Sequence, residues 1–165
     1  MWTPETAPIY YLEEEYGFRP DDTCFRNACL VALRIPGCSA SLVSPHGLVM
    51  TNHHCGRESV SQVSQESEAL LDNGFYAKSL ADERKVPDFY VEQLVEIEDV
   101  TERVNRRLQA DNDTRGRNRE RQIQQMQEEM TQEAKRRNED LSVEIVALYS
   151  GARYSAYTYE RFDDV

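Results

Sequence analysis

The sequence has no apolar run approaching the roughly 20 residues that a bilayer-crossing helix needs, so no membrane span is expected. Met1-Trp2-Thr3-Pro4 offers neither a basic start nor an apolar stretch, so no secretory leader is visible. The chain is therefore cytoplasmic, or its leader has been removed. Positive charge is also in deficit: 19 Lys and Arg stand against 30 Asp and Glu, a net charge of −11. Such a chain repels phosphate, which disfavours general nucleic-acid binding. There is no internal repeat, and no low-complexity stretch beyond a Gln/Glu/Arg-rich segment near residue 125. Cysteine is scarce and does not settle the compartment. Cys24, Cys29, Cys38 and Cys55 allow two disulfides, one or none.

What remains is enough for a globular domain. In 165 residues, nine Tyr, five Phe and one Trp can seed a core, which argues against wholesale disorder. The length fits one domain or part of a larger one. Residues 1–23 hold three prolines and Glu13-Glu14-Glu15, and read as an irregular arm with a short helix at 10–16. Residues 24–98 read as short strands. Cys29–Ile35, Ser39–Ser44 and Gly47–Thr51 are candidates, the last two joined by Ser44-Pro45-His46-Gly47. There Pro presets φ and Gly accepts positive φ. A polar helix is expected over 59–72, stopped by Asn73-Gly74. A strand is expected over Tyr90–Ile97, with Val91, Val95 and Ile97 on one face.

Residues 99–140 change period. Val100, Val104 and Leu108 make one helical stripe, and Ile123, Met126, Met130 and Ala134 a second. The polar stretch Asp111–Asn118 either turns between two helices or is the solvated middle of one long helix. Asp99 or Thr101 can cap the start. Arg103, Arg106, Arg107, Arg115, Arg117, Arg119 and Arg121 form a basic stripe interleaved with acids and Gln. With no aromatics for base stacking, it reads as a solvated face. Residues 141–165 read as a β-hairpin, Val143–Tyr149 with Ala152–Tyr159, in which the tyrosines make cross-strand pairs. The expected class is mainly β with a helical insertion, an amphipathic helical hairpin or long helix.

All three histidines fall between positions 46 and 54. Imidazole ordinarily titrates near neutrality, which suits a general base. A His-His-Cys cluster has other uses. Zinc held with Cys38 and His46 is one, though the spacing is unlike common zinc modules. A pair of plain polar residues at a strand end is another. Ser59, Ser61, Ser64 and Ser67 lie nearby, but none sits in a nucleophile-type turn.

Thr51-Asn52-His53-His54-Cys55, behind a strand pair carrying Cys38, resembles the general-base segment of trypsin-like serine peptidases. The resemblance extends along the chain. It includes Met1-Trp2-Thr3-Pro4, Tyr16-Gly17-Phe18, Ser41–Val49, Thr51–Gly56, Asn73–Ala77 and Val95–Thr101, in that order. Together these segments are similar to the opening of the bacterial dipeptidyl-peptidases of types seven and eleven. That likeness implies a trypsin-like double β-barrel, of which this chain would be the first half, with a helical domain inserted. It implies a homodimeric enzyme that releases dipeptides from peptides with a free N-terminus by a Ser-His-Asp triad. The location would be periplasmic or the cell surface of a Gram-negative bacterium, with no cofactor or metal, no nucleic acid and no membrane span. By the same likeness His54 is the base, and Cys38 and Cys55 are a candidate disulfide. A reduced Cys38 would instead pack as a small apolar residue. A Cys24–Cys29 bridge would require a loop there.

The family's aspartate follows an Asn-Trp-type turn that this sequence lacks. Asp163 and Asp164 resemble an earlier Asp-Val stretch, so neither is assigned. No Gly-x-Ser-Gly loop is present, and Gly37-Cys38-Ser39-Ala40-Ser41 does not match one. The expectation is an N-terminal portion of a longer enzyme, inactive alone because a triad acts as a unit. It would expose an apolar face and tend to self-associate. The rival reading is a non-catalytic interaction module, a degenerate half-barrel with a charged helical arm.

Overall fold

A computed structural model describes residues 2–110, 118–163 and 165. After a 3-10 turn at Pro4–Thr6 come α1 (Ile9–Tyr16) and α2 (Asp22–Val31). Three short strands follow, β1 (Ala32–Ile35), β2 (Cys38–Leu42) and β3 (Val49–Thr51), then α3 (His53–Val63) and α4 (Leu70–Asn73). β4 (Val91–Asp99) leads into α5 (Thr101–Ala110) and α6 (Arg119–Lys135). β5 (Leu141–Leu148) and β6 (Arg153–Phe162) close the described chain. The strands form one antiparallel sheet in the order β3-β2-β1-β4-β6-β5.

Two expectations about class change. Helices occupy more of the described chain than strands, so the fold is a mixture of helix and antiparallel sheet rather than mainly β. The sheet has two margins, β3 and β5, and is not closed.

The sheet buries one face in two clusters. Val143, Ile145, Tyr154 and Ala156 meet Val100, just before α5, Val104 of α5, and Met126, Met130 and Ala134 of α6. These are the residues of the two helical stripes, because period 3.6 aims one row inward. Leu33, Ile35 and Val91 form the second cluster, with Cys38, Ala40, Leu42, Val49 and Cys55 around it.

Residues 111–117, including Arg115 and Arg117, lie outside the described residues, so the expectation of a turn between two helices or the solvated middle of one long helix falls there. Arg107 forks onto Glu129 at 2.7 and 2.9 Å, tying α5 to α6. Arg119 donates to the Tyr154 hydroxyl. Two arginines of the basic stripe thus serve the fold. Asp99 accepts from the Thr101 N–H at 2.9 Å, and the side-chain and backbone bonds from Thr101 hold its carboxyl below the usual range. The Thr101 hydroxyl oxygen also accepts from the Tyr154 N–H at 2.9 Å. α6 also guards the β5 margin. Thr131 Oγ1 accepts from Val143 N at 3.1 Å, and Gln127 Oε1 from Ile145 N at 2.9 Å.

Several local expectations are corrected. The apolar run Cys29-Leu30-Val31 ends α2 instead of opening a strand. Asp21 starts that helix by accepting from Cys24 N at 2.7 Å. Cys24 and Cys29 lie on that helix as free thiols. The helix expected over 59–72 begins earlier, at His53, and ends at Val63; only the four residues of α4 precede Gly74. In β4 a bulge between Leu94 and Glu96 shifts the alternation, so Leu94 faces Tyr159 and Ile97 faces Tyr157. Val95 and Ile97 therefore leave the Val91 face. With Phe25 and Leu30 of α2 they line a cavity of about 290 Å³. The tyrosines do not pair with one another. Tyr154, Tyr157 and Tyr159 share β6 and face Ala147, Glu144 and Ser142, while Tyr149 sits in the turn.

Candidate active site

The β2–β3 hairpin delivers His54. Val43 N donates to Leu48 O at 2.9 Å, and the Ser44 hydroxyl accepts from His46 N and Leu48 N at 3.2 and 3.1 Å. Gly47 takes φ +84°, a conformation that would strain an L side chain. β3 then runs antiparallel to β2, with Leu42 opposite Val49 and Ala40 opposite Thr51. Asn52 sits at the N-cap position of α3, so His53 and His54 occupy its first turn. Cys55 N donates to Asn52 O at 3.0 Å, closing that turn.

Cys38 of β2 and Cys55 of α3 are joined by a disulfide, with Cα atoms 6.1 Å apart. Both cysteines are half-buried against the Leu33–Ile35–Val91 cluster. His54, between this anchor and β3, is exposed. Its Nε2 lies 3.8 Å from Cys38 Sγ. The ring is thus at the surface, neither sealed in a core nor held in a hydrogen-bonded cage. It can accept or deliver a proton to a group brought from outside.

Donor atoms of Cys38, His54 and Cys55 lie within 4.8 Å of one another. A disulfide has no thiolate to give a metal, so two of these three are spent. His46, the fourth member of the zinc reading, is outside this group and exposed in the hairpin turn.

The serines stay apart from the ring chemistry. Ser61 and Ser64 return their hydroxyls to the Arg57 and Val60 carbonyls at 3.3 and 2.8 Å. Asp163 is held by Arg161 at 2.7 Å, and Asp164 lies outside the described residues. Sequence reasoning missed two features here, the helix that begins at His53 and the Thr51 hydroxyl bonded to Ser39 O at 2.8 Å. Asn52 before the histidines was the available signal for the first.

The family model Peptidase S46 matches residues 1–165, and the chain belongs to that family. An Asp/Glu-specific dipeptidyl-peptidase of Porphyromonas gingivalis is 34% identical over 151 residues, 90% of this chain and 21% of that protein. A dipeptidyl-peptidase 7 of Capnocytophaga gingivalis is 32% identical over 133 residues, 78% of this chain and 18% of that protein. Among solved structures, Porphyromonas endodontalis DPP11 in complex with substrate superimposes with a TM-score of 0.70. It is 30% identical, covering 88% of this chain and 21% of that one. The chain thus spans about a fifth of the length of these relatives.

Proposed function

We propose that this chain carries the general base, His54, of a serine-type dipeptidyl aminopeptidase whose aspartate and serine lie in polypeptide beyond Val165. Residues 24–98 and 141–165 then contribute to the first barrel of a trypsin-like pair, and 99–140 are a helical insertion. His54 takes the proton of a serine hydroxyl as that oxygen attacks the peptide carbonyl, and afterwards returns it to the leaving amine. The aspartate orients the ring, and the substrate is a peptide with a free N-terminus. The working enzyme is a homodimer in the periplasm or on the cell surface of a Gram-negative bacterium. Alone, the 165-residue chain releases no dipeptide, since it lacks two triad members.

The observation that carries this reading is the exposed imidazole beside the Cys38–Cys55 bridge. Support also comes from the dipeptidyl-peptidase names of the relatives. A structural disulfide favours an oxidising compartment, in keeping with the location. The bridge also mounts the ring rigidly, and misplacement by about 1 Å can cost about a hundredfold in rate.

The test is His54→Ala in the full-length enzyme. Dipeptide release should fall by about a thousandfold or more while the thermal transition is kept. Retained turnover rejects the assignment and leaves the interaction-module reading.

A further inference from the structure

Two cross-links leave consecutive residues of β2 and land on either side of His54. From Cys38 the disulfide runs to Cys55, one residue after the imidazole. From the neighbouring Ser39 the carbonyl oxygen accepts the Thr51 hydroxyl at 2.8 Å, before the imidazole. Only Asn52, His53 and His54 lie between the two anchors. Thr51 is the last residue of β3, where ladder bonding to β2 ends opposite Ala40. The side-chain bond thus extends the attachment of the two strands past the end of the ladder, at the point where the backbone leaves for α3.

A single tether fixes a distance but leaves a swing about it. The disulfide holds Cys55, and the β2–β3 ladder holds the backbone of Thr51 opposite Ala40. The Thr51 hydroxyl adds a hold where the backbone leaves the ladder, which narrows the swing left to Asn52–His54. We propose that Thr51 is a positioning residue for His54, the second half of a clamp whose first half is the disulfide. It acts through the backbone of residues 52–54 and touches no substrate. Both Thr51 and Ser39 are exposed, so water competes for the bond and its net effect on stability is small. Its effect should appear in the geometry of the reaction. This inference rests on His54 being the base, and the experiment separates the two.

In the full-length enzyme Thr51→Val keeps the shape and the strand preference but removes the hydroxyl. Steady-state dipeptide release should show kcat reduced about tenfold with KM nearly unchanged, because a sub-ångström drift costs less than the full penalty for 1 Å. The thermal midpoint should move little. Thr51→Ser, which restores the donor, should recover most of the loss. His54→Ala is run beside them. Wild-type kcat in Thr51→Val with His54→Ala inactive overturns the clamp and leaves the base assignment standing. Full activity in both overturns the base assignment and the clamp with it. A raised KM at unchanged kcat, a large fall in the thermal midpoint, or failure of Thr51→Ser to recover overturns the positioning role.

Discussion

Arg34 of β1 reaches three other strands with one side chain. From β1, its Nε and Nη2 donate to Glu92 of β4 at 3.1 and 2.8 Å, and its Nη1 donates to Glu144 of β5 at 2.6 Å. The guanidinium lies over the Tyr159 ring of β6, 3.6 Å from its centroid. The planar fork is what allows one group to do this, and Lys could not reproduce it. The arginine side chain is 41% exposed and its partners 18% and 46%, so each ion pair is weakened by water. Arg34→Met should therefore cost about 2 kcal/mol, less than buried charge-assisted bonds plus a stacked cation would suggest. Arg34→Lys should recover less than half. Equilibrium urea unfolding followed by circular dichroism measures both, and an unchanged midpoint in Arg34→Met would deny the residue this joining role.

Between α3 and β4 the chain has little regular structure, and one ion pair staples it down. Arg84 donates to both oxygens of Glu68 at 2.6 and 2.7 Å, and to the Val63 carbonyl that ends α3 at 2.8 Å. The Arg84 hydrogen bond, then the Gln65 backbone N–H, lowers the Glu68 carboxyl to about 2. A carboxyl lowered on folding stabilises the native state above its unfolded pKa, and that contribution fades as pH falls through the folded one. The staple should thus hold from neutrality to about pH 4.5 and release toward about pH 2. A carbon-detected NMR titration should find Glu68 near the lower value, and Glu68→Gln should expose residues 64–84 to proteolysis at neutral pH. An ordinary carboxylate midpoint would count against the staple. This segment was also the least legible in the sequence, since its polar residues have no period and its one helix signal, Asn73-Gly74, ends only a single turn. The α5 and α6 stripes were legible because every apolar member meets the same core. β4 was legible as a strand but not in its facing, since the bulge at Leu94–Glu96 answers to Tyr157 and Tyr159, far away in sequence. At the candidate site, residue order left the cysteine pairing open, and only the family resemblance singled out His54 and the Cys38–Cys55 pair. The Thr51 bond could not be read from residue order, because it depends on the register of β2 against β3.

Seen whole, the sheet carries both apolar clusters on one face, while the β2–β3 hairpin that leads to His53 and His54 leaves Leu48 and Met50 each 62% exposed. Apolar side chains beside an uncovered strand invite contact. The net charge of −11 opposes it, and physiological salt screens much of that repulsion. The chain expressed alone should therefore sediment as concentration-dependent oligomers near 150 mM salt, roughly the physiological ionic strength. Leu48→Lys combined with Met50→Lys should shift it toward monomer. A monomer across the whole concentration range would refute the expectation. Thr131 and Gln127 of α6 occupy amides along one border of the sheet, and nothing comparable sits along the border at β3 among the described residues. The molecule can therefore lengthen its sheet in one direction. Any strand that joined there would lie alongside Val49–Thr51, the strand whose end leads straight into Asn52, His53 and His54.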